Sequence, residues 1–189
     1  MRNLFWGLVI SFIAAPAIAQ KPADPAMLVG ETAPELEMTT IPMPLTLPAG
    51  MDPGAPASLA FDRQGHLWVL HRGKQPFVEY DANGKFIRAF GEGLLGRSHG
   101  FRIDPDGNLW ATDVNGHIVV KVNTKGEVLM TLGEKGKPGM VREPNDIAFG
   151  RNGDIFVGQG HTPGPNGDPR VLKFDKNGKF IKSWGGKGK

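Results

Sequence analysis

From Leu59 to Trp184 short apolar runs alternate with polar turns, and the pattern recurs three times. The first copy reads Leu59-Ala-Phe-Asp-Arg-Gln-Gly-His-Leu-Trp-Val. The second reads Phe101-Arg-Ile-Asp-Pro-Asp-Gly-Asn-Leu-Trp-Ala, and the third Ile147-Ala-Phe-Gly-Arg-Asn-Gly-Asp-Ile-Phe-Val. Gly65, Gly107 and Gly153 hold the same place in each turn. The second half of each unit repeats as well: Tyr80-Asp-Ala-Asn-Gly84-Lys-Phe-Ile, Val122-Asn-Thr-Lys-Gly126-Glu-Val-Leu and Phe174-Asp-Lys-Asn-Gly178-Lys-Phe-Ile. Units close on Phe90-Gly91, Leu132-Gly133 and Trp184-Gly185. Glycine in a short polar link between alternating apolar residues marks a tight hairpin, because such turns need a positive φ. Each unit therefore predicts four short antiparallel strands.

A recurrence of roughly 40–45 residues with four strands per copy is the mark of a β-propeller blade. One twisted sheet cannot bury both of its faces, whereas sheets stacked around an axis can. The expected fold is all-β: about three blades of four antiparallel strands, near 51–95, 96–138 and 139–189, forming an incomplete ring. A plain antiparallel sandwich is the competing architecture, and three in-register copies with matching turn glycines argue against it. Closed propellers use four or more blades. The chain thus reads as a truncated copy, Gly185–Lys189 resembling the start of an inter-blade link, or as a half-ring that pairs with a second copy.

Upstream, Arg2, the apolar Leu4–Ala15 stretch and Ala17-Ile18-Ala19 predict a signal peptide over 1–19, too short to span a bilayer. The expectation is a periplasmic or secreted protein with no membrane contact after cleavage. Six prolines between Pro22 and Pro48 make 20–50 a lead, with one edge strand near Met43–Leu47. The 27 Gly and 16 Pro fit a turn-rich β protein. A net charge of +3, with Lys and Arg scattered among acidic residues, gives no basic stripe for nucleic acid. Without cysteine there is no disulfide, thiolate metal site or cysteine nucleophile. No phosphate-binding loop, paired-carboxylate motif or Ser-His-Asp set stands out.

Two strings carry a resemblance: Ser98-His-Gly-Phe-Arg-Ile-Asp-Pro-Asp-Gly-Asn-Leu-Trp-Ala-Thr-Asp113 and Val69-Leu-His-Arg-Gly73. Glu143-Pro-Asn-Asp-Ile-Ala148 and Lys179-Phe-Ile-Lys-Ser-Trp-Gly185 extend it. Together they resemble the N-terminal half of the catalytic core of the peptidyl-α-hydroxyglycine α-amidating lyase family, a six-bladed propeller of NHL repeats. The resemblance implies a lyase that cleaves a carbinolamide to a peptide amide and glyoxylate, acting on a small-molecule or peptide substrate. It implies zinc held by three histidines from different blades, and a nearby calcium held partly by backbone carbonyls. His99 matches the first zinc ligand. Arg72 matches the substrate-side arginine. Leu59 and Phe101 match positions whose carbonyls hold calcium. The family's substrate-side tyrosine is absent; Gly158-Gln-Gly-His161 stands in its place, followed by an insertion over 162–169, so His161 is the candidate base. The other two zinc ligands fall in blades beyond these three.

Remaining residues draw plainer expectations. His71 reads as packing, His66 and His117 as solvated turn residues, and Tyr80 as an outer-strand residue too remote to replace the missing tyrosine. Asp113 and Asp146 read as backbone anchors between blades. Trp68, Trp110 and Trp184 read as core. Two other functions stay open: a non-catalytic propeller that binds protein, glycan or small ligand, and a calcium-dependent lactonase-like propeller, whose acidic channel ligands are not seen.

Overall fold

The computed structural model describes residues 37–39, 45–162 and 167–186. The proposed signal peptide, and most of the lead before residue 45, lie outside the described residues. The chain divides into two compact units, Met1–Ile41 and Pro42–Lys189, and every strand named below belongs to the second.

Twelve strands form three antiparallel sheets of four. The first holds β1 (Pro56–Phe61), β2 (Leu67–His71), β3 (Phe77–Tyr80) and β4 (Phe86–Phe90). The second holds β5 (Ser98–Ile103), β6 (Leu109–Asp113), β7 (Ile118–Val122) and β8 (Val128–Leu132). The third holds β9 (Pro144–Phe149), β10 (Ile155–Gln159), β11 (Val171–Phe174) and β12 (Phe180–Trp184). In each sheet the spatial order follows the chain. The four-strand unit read from the sequence is therefore the unit of the fold, and the three sheets do not close into a ring.

Turn chemistry explains the regularity. Gly65, Gly107 and Gly153 take φ of 81°, 83° and 84° in the first hairpin of their sheets. Asp62 and Asp104 open two of these turns, each accepting two following backbone N–H groups on one carboxylate oxygen. Asp81, Asn123 and Asp175 do the same in the later hairpins. A side-chain oxygen thus fixes each turn locally. Ahead of β1, the described part of the expected edge strand, residues 45–47, carries one parallel bridge, Thr46 N–H donating to the Gly84 carbonyl at 3.1 Å.

Burial shows how the sheets stack. Trp68, Leu70 and Phe77 of the first sheet form one cluster with Phe101, Leu109 and Val120 of the second. Trp110 and Val119 of the second join Ile147, Ile155, Val157 and Leu172 of the third. Each sheet hides one face against the next, as blades do. β5 lies against both β1 and β9, so the first strands of the three sheets gather on one side. Tyr80 is buried on a third strand, not an outer one, and packs edge-on against Phe86.

The end faces behave differently. Leu59, equivalent to buried Phe101 and Ile147, is 58% exposed because no sheet precedes it among the described residues. Phe61 is exposed beside it. At the other end Trp184 is 45% exposed and meets Phe156 edge-on. The core expectation holds for Trp68 and Trp110 and fails for Trp184, whose side of the last sheet has no described neighbour.

Where β5 crosses β9 the backbones nearly touch. A Cβ on Gly100 would stand 2.3 Å from the Asn145 carbonyl oxygen and 2.8 Å from the Asp146 Cα. Both obstacles are backbone, so the strands must part. Gly100→Ala is expected to destabilise the protein by about 1–3 kcal/mol, like other overpacking changes. Denaturant unfolding monitored by tryptophan fluorescence would check this; an unchanged midpoint would contradict the contact.

Candidate active site

The first strands position the candidate residues. Arg72 follows β2, and its Nε–H donates to the Ser98 carbonyl at 3.2 Å. The neighbouring residue is His99, at the start of β5. The two sites read from separate strings are thus adjacent, and among the described residues the Arg72 terminal nitrogens have no hydrogen-bond partner. Asp113 builds this junction from beneath. It is fully buried and accepts the backbone N–H groups of Gly96 (2.6 Å), Arg97 (2.8 Å) and Gly116 (2.8 Å). It fixes the segment leading into His99, in the anchoring role read from the sequence.

His99 is held in the manner of a metal ligand. Its Nδ1 lies 3.0 Å from the Asn145 carbonyl, which only accepts, so Nδ1 carries the proton and Nε2 keeps a free lone pair. Metal-bound imidazoles are oriented by such a bond from their other nitrogen. The same Asn145 carbonyl accepts the Thr112 hydroxyl at 3.2 Å. The geometry fits one zinc ligand. Among the described residues no group of three ligands surrounds it.

His161 comes from the third sheet. Its ring centroid lies 4.9 Å from that of His99, with the planes at 73°. Burial pushes its pKa down, and the neighbouring His99 imidazole and Arg97 guanidinium push the same way; Glu143 opposes them. The neutral imidazole, the form a base requires, is therefore favoured. Glu143 fixes the corner: its carboxylate accepts the Thr162 N–H at 2.9 Å and its carbonyl the Gly160 N–H at 3.3 Å. The Thr162 bond holds the Glu143 carboxyl below its usual range. Glu143 itself sits at φ 47°, unusual for a non-glycine residue. Sequence reasoning gave no role to Arg97 or Glu143. Glu143 opens one quoted string and Arg97 stands one residue before another, but nothing in their spacing marked them.

Other expectations change. His117 is half-buried rather than fully solvated, and its Nδ1 accepts the Glu143 N–H at 3.2 Å. His71 is buried, with Nδ1 3.3 Å from the Gly54 carbonyl and a pKa lowered by burial, as packing implied. His66 is not free either: its Nδ1 lies 2.8 Å from Glu79 Oε1, a bond that raises its pKa. Asp62, His66 and Glu79 offer ligand atoms within 4.8 Å of one another. Each is already engaged: Asp62 with the Trp68 indole N–H at 3.0 Å, Glu79 with Arg88 at 2.6 Å. A raised histidine pKa opposes metal binding, which needs the neutral ring. The set works as a latch. In the next two sheets a lysine replaces the glutamate, pairing as Lys121–Asp104 (2.9 Å) and Lys173–Asp154 (2.6 Å).

The Phe101 carbonyl, a proposed calcium ligand, accepts Arg102 Nη1–H at 2.7 Å. A guanidinium already faces that oxygen, so the donor set does not fit calcium there. A groove of about 810 Å³ is lined by first-hairpin residues such as Asp62, Asp104 and Gly150. It contains none of Arg72, His99 or His161, which cluster at the opposite end of the first strands. Interstrand turns make that groove.

The comparisons bear on the same three sheets. Over 156 residues the chain is 32% identical to a probable peptidyl-alpha-hydroxyglycine alpha-amidating lyase of Caenorhabditis elegans, covering 68% of this chain and 43% of that protein. The chain is a homologue of the peptidyl-α-hydroxyglycine α-amidating lyases. It is also 31% identical over 163 residues to peptidyl-glycine alpha-amidating monooxygenase B of Xenopus laevis, covering 70% of this chain and 18% of that one. The chain spans less than half the length of these lyase-family relatives. No family model matches. Among solved structures, a streptogramin B lyase superposes with a TM-score of 0.55 at 19% identity, over 71% of this chain and 42% of the other. That likeness concerns the fold.

Proposed function

We propose that this α-amidating lyase homologue is an exported protein whose three sheets supply the substrate-facing part of a carbinolamide-cleaving channel. The supporting observation is convergence: Arg72, His99 and His161, from three sheets, meet at one end of the first strands.

The Arg72 terminal nitrogens would hold the substrate carboxylate as a bidentate fork. His99 Nε2 would contribute one ligand to zinc. Bound there, zinc would supply Lewis acidity at the substrate hydroxyl. His161, neutral near pH 7, would take the hydroxyl proton. As the C–O bond becomes a carbonyl, the C–N bond breaks, and the same imidazole returns the proton to the departing amide nitrogen. The products are a peptide amide and glyoxylate. The same rim, with Arg72 and Arg97 beside two imidazoles, also suits a module that binds a carboxylate without chemistry.

The test is glyoxylate release from a peptidyl-α-hydroxyglycine by the purified chain supplied with zinc. Release is expected to rise with pH through a midpoint below the ordinary histidine value, because the base must be deprotonated and its pKa is lowered. His161→Gln should remove that limb. Substrate retention without glyoxylate at any pH would leave the binding module and reject the lyase.

A further inference from the structure

We propose that Arg102 is the resident cation of the first strands, its guanidinium standing where the family resemblance places calcium. The calcium position rests on the lyase-family resemblance, whereas the fork is independent of whether the chain cleaves a carbinolamide. β5 is the edge strand of its sheet, pairing only with β6. An edge strand leaves part of its carbonyl row without ladder donors. The Phe101 carbonyl is met by Arg102 Nη1–H at 2.7 Å. The second nitrogen, Nη2, bonds Asp146 Oδ2 on β9 of the next sheet. Asp146 keeps its other oxygen on the Ile147 N–H at 2.8 Å.

One planar fork therefore joins a carbonyl oxygen and a carboxylate from neighbouring sheets. Carbonyl and carboxylate oxygens are what a hard divalent cation takes. Arginine meets them with a permanent charge. A calcium ion at the same oxygens would face that charge at contact distance, so the two cations exclude each other.

The repeat shows that this is a local addition. Arg102 pairs across its hairpin with Trp110, as Ala60 does with Trp68 and Ala148 with Phe156. Two copies place alanine where the middle copy places arginine. The pair is half exposed, Arg102 at 44% and Asp146 at 49%, so its strength alone explains little. Its effect is to occupy the oxygens and tie β5 to β9.

Calcium titration calorimetry and thermal melting of the whole chain, with calcium chloride or chelator, test the assignment. The parent protein is expected to give no calcium heat and one melting temperature in both conditions. Arg102→Ala should melt a few degrees lower in chelator and regain that loss in millimolar calcium, and adding Asp146→Asn should abolish the gain. Arg102→Lys keeps the charge without the fork and should stay insensitive to calcium. Calcium binding by the parent would overturn the proposal. So would an Arg102→Ala protein, folded by circular dichroism, that takes up no calcium.

Discussion

Asp113→Ala is expected to cost roughly 3–5 kcal/mol, the largest stability loss of any single change considered for this chain. The carboxylate is fully buried and is the acceptor for three backbone N–H groups. Alanine leaves all three without it, and each buried unsatisfied donor costs about 1–3 kcal/mol before relaxation. Asp113→Asn should be milder, roughly 1–3 kcal/mol. One amide oxygen can still serve Arg97 and Gly116, while the amide NH2 opposes the Gly96 N–H. Urea unfolding of both variants gives the two values. Equal losses would mean that packing, rather than acceptor count, governs the site. Because Asp113 shapes the approach to His99, the alanine variant should also lose activity that the parent shows.

His99→Ala should lower glyoxylate release at least about 100-fold, more than loss of a supporting partner of a metal ligand. The reason is that no second imidazole can replace it on its own strand. Zinc binding gives the independent reading: with one imidazole ligand from this chain, zinc uptake measured at equilibrium in zinc-containing buffer should fall in the variant. Arg72→Lys should act differently, raising KM, since lysine keeps the charge and loses the fork. A His99→Ala protein with parental zinc and parental rate would remove His99 from the metal centre.

Much of the fold is legible because its determinants are local. An Asp or Asn opening a turn and a glycine closing it fix five of the hairpins within a few residues, at Asp62, Asp81, Asp104, Asn123 and Asp175, and the copies can be laid against one another. The placement of Arg72 beside His99 was legible only through resemblance, since Arg72 Nε reaches the Ser98 carbonyl across two sheets. His161 was suggested by alignment, but its 4.9 Å approach to His99 depends on how the second and third sheets stack. Glu143 gave no signal at all. A residue before proline favours extended backbone, yet here it turns to φ 47° to serve His117, Gly160 and Thr162 together. Trp184 and Leu59 were misleading for one reason. A repeat predicts what faces a neighbour, and it says nothing about copies that lack one. The Arg102 fork was hidden because its carbonyl partner carries no side-chain signature.

The two terminal sheets present unlike surfaces, aliphatic and phenyl at Leu59 and Phe61, indole at Trp184. The row therefore has a polarity, like a brick with a tongue and a groove. Whatever lies on the leading end contacts different chemistry from whatever lies on the trailing end. A symmetric contact that matched leading end to leading end would leave both indole ends bare. A head-to-tail contact joins one surface of each kind, and when repeated it either closes on itself or continues without limit.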